Sequence, residues 1–181
     1  MSKTASGLAV VVRAPEGGVP DVSAEVPDWS RERPRRFWDP GRKLLGSIRS
    51  YQHWANRNAI LSWPMRKWAV LRHRFWSVVT GADIPLNCEI GGGLLIPHPN
   101  GIVIHPGAKV GVNCLIFQQV TLGTCSQPGT PDLAGHVDIG AGAKILGPVR
   151  IGAHAKIGAN AVVIGDLPER AVAVGIPARV V

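Results

Sequence analysis

One aspartate and one histidine stand out among the residues that could do chemistry. Asp83 and His98 are fifteen residues apart, and His98 lies in the stretch Pro97-His98-Pro99-Asn100-Gly101. A carboxylate that faces an imidazole fixes the tautomer of the ring and stabilises the cation that forms when the ring accepts a proton. Such a pair can deprotonate a hydroxyl group that attacks a thioester. The hypothesis needs a fold that places the two side chains side by side.

The other histidines and the cysteines do not indicate a metal centre. Three histidines around zinc, two of them close in sequence, would be needed for a carbonic anhydrase built on a β-helix. No two of the histidines in the second half of the chain are closer than seven residues: His98, His105, His136 and His154. The chain has three cysteines, too few and too irregularly spaced for a disulfide framework or a four-cysteine zinc site. We expect no metal and a reducing compartment.

A six-residue repeat fills the second half of the chain and provides the required fold. Aliphatic residues recur in phase at thirteen positions: Ile84, Ile90, Ile96, Ile104, Val110, Ile116, Leu122, Leu133, Ile139, Ile145, Ile151, Ile157 and Val163. Six residues make a short strand and a turn, and three such units make one triangular coil of 18 residues. The repeated aliphatic points inward and stacks on its equivalent in the next coil. The sequence predicts an all-β parallel β-helix of hexapeptide repeats, preceded by a short α-helical unit.

The repeat loses its phase twice, and both interruptions are candidate functional loops. Two extra residues fall within Pro97–Gly101, around His98, and a longer insertion spans residues 123–131. A regular solenoid does not need such excursions, and irregular loops on a rigid scaffold often carry function. Because Asp83 and His98 are separated by nearly one coil, we expect them on neighbouring turns of one edge of the prism.

The uneven distribution of charge along the sequence divides the chain into structural units. The net charge of +8 comes entirely from residues 1–80, which also hold all six tryptophans. We expect a disordered arm over residues 1–30, a basic, Trp-rich helical region over residues 31–80 and the β-helix over residues 81–181. Within the helical region, a start signal at Asp39-Pro40 predicts a first helix, and Pro64 predicts the start of a second. Trp68, Leu71, Phe75 and Val79 recur at helical spacing in the second.

The basic helical region allows three interpretations. Its apolar stripes could pack on the β-helix and leave the arginines in solvent. A basic helix with Trp and Leu could also lie on an anionic membrane surface. Nucleic-acid binding is disfavoured because no known motif accompanies the charge. No apolar run is long enough to span a bilayer. We expect a cytoplasmic protein, with peripheral contact at the inner membrane face as the alternative to purely internal packing.

Residues 81–179 resemble the catalytic domain of the serine acetyltransferases, a family of hexapeptide-repeat acyltransferases, in a short form. The matching stretches are Gly81–Ile84, His98–Val103, Val120–Gly123, Ile139–Gly147 and Gly175–Arg179. The resemblance implies a left-handed β-helix, and homotrimers that occur alone or as a dimer of trimers. It implies that His98 is the general base and Asp83 its partner. It also implies acetyl-CoA as acetyl donor, bound between subunits against four residues: Gly123, Ala141, Lys156 and Ala159.

The acceptor is L-serine by the same resemblance, with a saccharide hydroxyl as the alternative. The family carries an acid before the catalytic histidine, where this chain has Pro97, and an Arg-His pair where it has Gly129 and Thr130. A zwitterion loses affinity without such charged contacts, at about 1.5–3 kcal/mol for each charged hydrogen bond, whereas a neutral sugar loses none. A hypothesis of another class is a non-catalytic trimeric scaffold, which would not bind acetyl-CoA.

Overall fold

The computed structural model describes residues 22–55, 57 and 59–181, with residues 59–61 described as backbone only. A 3-10 helix (Trp29–Glu32) is followed by α1 (Pro40–Ala55) and α2 (Ala59–Thr80). Residues 81–181 contain short strands with these bounds: β1 Glu89–Ile90, β2 Val103–Ile104, β3 Lys109–Val110, β4 Leu115–Ile116, β5 Thr121–Gly123, β6 Asp132–Leu133, β7 Asp138–Ile139, β8 Lys144–Leu146, β9 Arg150–Ile151, β10 Lys156–Ile157, β11 Val162–Val163, β12 Val172–Gly175 and β13 Ala178–Val180.

The strands form three sheets that the chain visits in turn. The first sheet has the order β1-β3-β6-β9, the second β13-β12-β10-β7-β4 and the third β11-β8-β5-β2. Neighbouring strands are parallel, except for the final β12–β13 hairpin. This is the predicted left-handed parallel β-helix.

The register of the strands shows where the coils are regular and where they are not. Paired residues are 18 positions apart in the regular coils, as for Lys144 and Val162. The spacing widens to 20 between Asp83 and Val103, whose coil contains the loop around His98. It widens to 23 between Thr121 and Lys144, whose coil contains the exposed loop that follows β5. Both interruptions of the repeat are therefore accommodated at corners, without a change in the stacking of the strands.

The repeated aliphatic residues form the core of the prism, as predicted. All thirteen are buried, and none is more than 8% exposed. Small residues of the same hexads, such as Ala108, Ala143 and Ala155, are fully buried beside them. Each aliphatic side chain lies over its equivalent in the preceding coil, so the apolar column is continuous along the β-helix.

Residues 22–30 lie along the wall of the β-helix, although they fall in the segment for which we expected a disordered arm. Asn113 accepts a hydrogen bond from the Asp28 N–H at 2.8 Å and donates to the carbonyls of Ser23 and Val26 at 2.7 and 2.8 Å. A single side chain at a corner thus supplies partners for three backbone groups. The rest of the expected arm, residues 1–21, lies outside the described residues.

Helix α1 packs on the β-helix through the apolar stripe that the sequence predicts. Leu44, Leu45 and Ile48 are buried and belong to the same core as the repeated aliphatics. Beside them, Arg49 pairs with Glu32 at 2.8 Å and donates to the carbonyls of Ile90 and Gly91, both at 2.7 Å. Helix α1 is therefore fixed to the first coil by both apolar and charged contacts.

Helix α2 differs from the expectation in two ways. It begins at Ala59 and contains Pro64 in its second turn, whereas we predicted a start at Pro64. A proline near the start of a helix removes only one intrahelical hydrogen bond. The predicted apolar stripe also faces solvent: Trp68, Leu71 and Phe75 are 57, 59 and 54% exposed. The prediction that apolar stripes pack on the β-helix is right for α1 and wrong for α2.

No helix in the described part of the chain combines the length and the apolar character that a membrane span requires.

Candidate functional site

The loop that contains His98 lies at the corner where the chain passes from the second sheet to the third. At the same corner, the next coils contribute residues 117–120, 140–143 and 158–161. We call this column of turns the site edge. His98 is exposed there, in the two-residue excursion that the sequence indicated. The imidazole is thus accessible on a rigid scaffold.

Hydrogen bonds from both neighbouring levels hold the His98 loop. From the coil before it, the Gly81 carbonyl accepts from the Gly101 N–H at 2.9 Å. From the coil after it, the Gln119 backbone N–H and side-chain amide donate to the Asn100 backbone and side-chain oxygens, both at 2.9 Å. Gly101 has φ of +68, and a Cβ on it would lie 2.5 Å from Gln119. Only glycine fits this position without displacing the Gln119 side chain.

Asp83 lies on the third sheet one coil before His98. It pairs with Val103, its N–H donates to the Ile102 carbonyl at 2.8 Å, and its carbonyl accepts from the Ile104 N–H at 2.9 Å. The carboxylate is exposed, and within the described part of the chain it makes no hydrogen bond or ion pair with the His98 ring. Register places Asp83 on the sheet that follows this corner, one coil before His98, and not on a turn of the edge itself as we expected. Catalytic hydrogen bonds are often long in the absence of substrate.

Two of the four positions expected to contact acetyl-CoA lie on the site edge. Ala141 and Ala159 occupy equivalent turns in successive coils, and the Asn160 N–H donates to the Ala141 carbonyl at 2.8 Å. The backbones approach closely here, because a Cβ on Gly140 would lie 2.6 Å from the Ala159 nitrogen. A surface of small side chains and backbone leaves room for an extended ligand.

The other two expected contact positions lie on the sheets that flank the site edge. Lys156 is exposed on the second sheet, in register with Asp138. Gly123 ends β5 on the third sheet, where its carbonyl accepts from the Gly147 N–H at 2.9 Å. All the predicted site residues therefore lie on one edge of the prism or on its two flanks. In a single chain this edge is convex, so a second surface is needed to form a cleft over it.

A cation that the sequence analysis did not single out reaches the site edge from the third sheet. The Lys144 ammonium donates to the Gln119 carbonyl, directly above the His98 loop. Lys144 lies on the third sheet in register with Thr121. Asp83 lies in the same column, two levels before Thr121. This alignment of Lys144 with Asp83 could have been read from the hexads only if the lengths of both interruptions were known.

The N-terminal segment forms a small cavity beside the His98 loop, which the sequence analysis also did not predict. The cavity has a volume of about 270 Å³ and is lined by Arg35, Asp39, Arg42, Leu95, Ile96 and Pro97. A larger and more open cavity of about 560 Å³ lies by the first sheet, against Asp132, Arg150 and Asp166. None of the predicted site residues lines either cavity, but Pro97 in the wall of the smaller one directly precedes His98 in the chain.

Two other pairs of side chains bear on the chemistry of the described residues. Burial, together with the charge of Asp83, raises the pKa of the Cys88 thiol to about 11, so this thiol is a poor nucleophile near neutral pH. His136 and His154 occupy equivalent positions of successive coils, with their rings nearly perpendicular and their Nδ1 atoms 2.8 Å apart. Their spacing of 18 residues, one coil, could have revealed this contact.

Among the described residues, no group of three or more His, Cys, Asp or Glu side chains could hold a metal ion.

The chain is similar in sequence to serine acetyltransferases. The serine acetyltransferase of Mycobacterium tuberculosis is 41% identical over 133 residues, which are 71% of this chain and 58% of that protein. That of Synechococcus elongatus is 47% identical over 107 residues, 58% of this chain and 44% of that protein. The chain thus spans about half the length of these relatives. No protein-family model matches it.

Solved structures give the same result. The soybean serine acetyltransferase apoenzyme superposes with a TM-score of 0.66 at 36% identity, over 78% of this chain and 57% of that one. A serine acetyltransferase in complex with CoA gives 0.67 at 35% identity, over 80% and 58% of the two chains. The Neisseria gonorrhoeae enzyme in complex with serine gives 0.66 at 33% identity, over 80% and 57%.

Proposed function

We propose that the protein is an acetyl-CoA-dependent O-acetyltransferase of the serine acetyltransferase type, because residues 81–181 form a β-helix and the chain is 41% identical to a serine acetyltransferase over 133 residues. One observation carries the proposal: His98 is exposed in a firmly held loop on the edge of the prism that Asp83 adjoins and that Ala141 and Ala159 form. The division into a basic, Trp-rich helical region of residues 31–80 and an acetyltransferase domain of residues 81–181 is part of the same proposal.

The proposed reaction is a direct transfer without an acyl-enzyme. His98 removes the proton of the acceptor hydroxyl while the oxygen attacks the thioester carbonyl. The tetrahedral intermediate then collapses, the C–S bond breaks, and the His98 imidazolium returns the proton to the thiolate. Asp83 orients the ring and stabilises its charged form. Backbone N–H groups at the site edge stabilise the oxyanion that develops in between.

Acetyl-CoA binds along the site edge in this proposal. Small residues at Gly123, Ala141 and Ala159 let the pantetheine chain approach the backbone, and the Lys156 ammonium meets a phosphate. These positions lie on a convex edge of one chain, so the opposite wall of the cleft comes from a second copy. That requirement is consistent with the homotrimer, alone or paired, that the family resemblance implies. Related serine acetyltransferases have been solved with CoA and with serine.

L-serine is the first acceptor to test, and a saccharide hydroxyl is the alternative. The exposed loop after β5 packs on the corner between the third and first sheets, where Thr130 donates to the Gly107 carbonyl at 2.7 Å. Gly129 and Thr130 place no charge there, and Pro97 places none before His98. Competition between L-serine and candidate sugars for acetyl transfer decides between the two acceptors.

Replacing the proposed base tests the enzymatic function. We expect His98→Ala to lower kcat about 100- to 10,000-fold, because general base catalysis contributes that much, without a change in thermal stability. His105→Ala, an exposed histidine of the next corner, is the matched control and should keep full activity. Near-normal activity of His98→Ala would reject the proposed base. Failure of the unmodified protein to bind acetyl-CoA in calorimetry would instead support the non-catalytic scaffold.

We further propose that the helical region touches an anionic membrane surface. On α2, Trp63, Trp68, Leu71 and Phe75 are each more than half exposed. Residues 40–80 hold eight Lys and Arg and no Asp or Glu. Aromatic and aliphatic side chains with a basic surround are typical of helices that lie in the headgroup region. Like charges around the stripe oppose its pairing with a second copy.

Co-sedimentation with vesicles tests this contact. The protein should bind phosphatidylglycerol vesicles and not phosphatidylcholine vesicles, and salt should weaken the binding. Leu71→Ser should reduce the bound fraction severalfold, because it removes apolar area from the exposed stripe. Ile164→Ser changes an equally exposed residue of the β-helix and should leave binding unchanged. Equal binding of both variants, or self-association through α2 in sedimentation velocity, would contradict the membrane proposal.

A further inference from the structure

The cavity beside the His98 loop has walls from two distant parts of the chain. Leu95, Ile96 and Pro97 form one wall, and the other comes from residues 35–42. Pro97 precedes His98 directly, so the cavity adjoins the loop that carries the proposed base. A small acceptor bound in the cavity would lie beside that loop.

The two walls are packed tightly enough to act as one rigid unit. Gly41, in the first turn of α1, lies so close to the His98 loop that a Cβ would be 2.6 Å from the Ile96 carbonyl oxygen and 3.7 Å from the Pro99 ring. Side chains on α1 and just before it are therefore held at a fixed distance from the loop.

The charged groups of the cavity are partly paired with each other. Arg42 donates to Asp39 Oδ2 at 3.0 Å and to the Arg31 carbonyl at 2.8 Å. Asp39 Oδ2 also accepts from the Arg35 backbone N–H at 3.1 Å. Burial acts to raise the pKa of the Asp39 carboxyl, but the hydrogen bonds from Arg35 and Arg42 outweigh it and leave the pKa below its ordinary value. Asp39 is thus ionised near neutral pH and neutralises Arg42.

The Arg35 guanidinium remains as the uncompensated charge of the cavity. It makes no hydrogen bond or ion pair with any other side chain in the described part of the protein. Residues 31–42 contain five arginines against two acids, so the local charge is positive. A planar guanidinium with free N–H groups is suited to bind a carboxylate through two parallel hydrogen bonds.

We propose that Arg35 binds the carboxylate of the acceptor and so determines which hydroxyl compounds react. The acceptor is then a small hydroxy acid, such as L-serine or a uronic acid, and a neutral sugar is a poor substrate. This inference rests on the proposed acetyl transfer. It assigns to the N-terminal segment the charged contact that Gly129 and Thr130 do not provide.

The test compares acceptors that differ only in the carboxylate, using the chain of residues 1–181. In Arg35→Gln, KM for L-serine should rise about 10- to 100-fold, the loss expected for one charged hydrogen bond, with kcat little changed. KM for L-serinamide, which lacks the carboxylate, should change less than about twofold. Arg35→Lys should recover part of the affinity. Arg36→Gln, an exposed neighbour that does not line the cavity, is the matched control.

Several outcomes would overturn the inference while leaving the proposed function intact. In Arg35→Gln, they are an unchanged KM for L-serine, an equal rise in KM for L-serine and L-serinamide, and a rise in KM for acetyl-CoA without a rise for L-serine. If uronic acids replace L-serine as substrates, glucuronate and glucose give the same comparison. If no acceptor is acetylated, the proposed function fails. Calorimetry with L-serine and glucuronate then tests the inference independently of catalysis. Equal binding to the unmodified protein and to Arg35→Gln, or no binding to either, would overturn it.

Discussion

The β-helix and helix α2 contain similar apolar side chains but place them in opposite environments. In the β-helix the repeated aliphatics are buried, and Ile139 and Ile145 are inaccessible to solvent. On α2, Leu71 and Val78 are 59 and 83% exposed. Stacked coils bury each aliphatic residue against its own equivalent in the next coil, so the solenoid needs no other partner. A helix with apolar residues on two faces buries only the face that meets the rest of the chain.

Solvent exposure also distinguishes the parts of the molecule that can bind a ligand or a surface from the parts that only support the fold. In the β-helix the proposed base is exposed where a corner departs from the repeat, at His98. The helical region exposes a continuous apolar stripe instead. The first arrangement suits a small substrate held at defined atoms, and the second suits a broad surface such as a membrane.

The largest expected difference between the two regions is in the cost of truncating an apolar side chain. Ile139→Ala should lower the free energy of unfolding by about 2–5 kcal/mol, because it leaves a cavity in a column that cannot collapse. Leu71→Ala should change it by less than about 0.5 kcal/mol, as is usual at exposed positions. Urea titration of both variants measures the two values. A cost above about 2 kcal/mol for Leu71→Ala would mean that the stripe is covered by another part of the protein.

The core of the β-helix could be predicted from the sequence because the repeat itself defines it. A side chain at every sixth position has one orientation in a triangular coil, so Ile84 and Val163 could both be assigned to the core without a structure. The position of His98 at a corner followed from the interruption of the same repeat. The exposure of α2 could not be predicted, because helical spacing identifies an apolar stripe without showing whether a partner is present.

A smaller effect is expected at the ion pair of Glu32 and Arg49, two residues of the helical region that both contact the backbone of the β-helix. Arg49 donates to both oxygens of Glu32, which in turn accepts from the N–H groups of Gly93 and Leu94 at 2.8 and 3.2 Å. Glu32 is buried. Arg49→Met should cost about 2–3 kcal/mol, since a buried carboxylate loses its cation while Arg49 itself remains partly in water.

A double-mutant cycle isolates this interaction. Glu32→Gln alone and the double variant are unfolded under the same conditions, and the coupling energy should exceed about 1 kcal/mol. A coupling near zero would show that the pairing of Arg49 with Glu32 does not stabilise the fold.

The cavity around Arg35 shows the limit of prediction for the site. Its walls are residues 35–42 and residues 95–97, which are distant in sequence and differ in composition. The docking of α1 brings them together, and that docking depends on contacts of Gly41 and Arg49 that no repeat specifies. The Arg-rich segment was visible in the sequence as charge, but its distance from His98 was not.

The buried thiols of the β-helix should make stability depend on alkaline pH. Burial is the main cause that raises the pKa of Cys88 and of Cys114 to about 11 each. Their pKa in the unfolded chain is near the ordinary value of about 8.5–9. The folded state therefore holds these protons longer, so stability is complete below about pH 9 and falls as the pH rises toward 11.

Labelling with a thiol reagent measures this protection directly. At pH 8 the exposed Cys125 should react rapidly, while Cys88 and Cys114 react only after unfolding. The loss of stability above pH 9 is at most about 1.4 kcal/mol per pH unit for each thiol, and it should become smaller in Cys114→Ala. Rapid labelling of all three cysteines at pH 8 would contradict the packing of the prism walls.

The smallest predicted effect compares a glycine of α1 with a glycine of the β-helix. A Cβ on Gly46 would meet no atom within 4 Å, whereas a Cβ on Gly111 would lie 2.4 Å from the Ala134 backbone of the next coil. Gly46→Ala should therefore stabilise the protein by about 0.5–1 kcal/mol, because alanine restricts the unfolded chain and favours the helix. Gly111→Ala should destabilise it, since the coils would have to separate. Thermal unfolding of both variants tests this contrast, and destabilisation by Gly46→Ala would show that this part of α1 is packed against another surface.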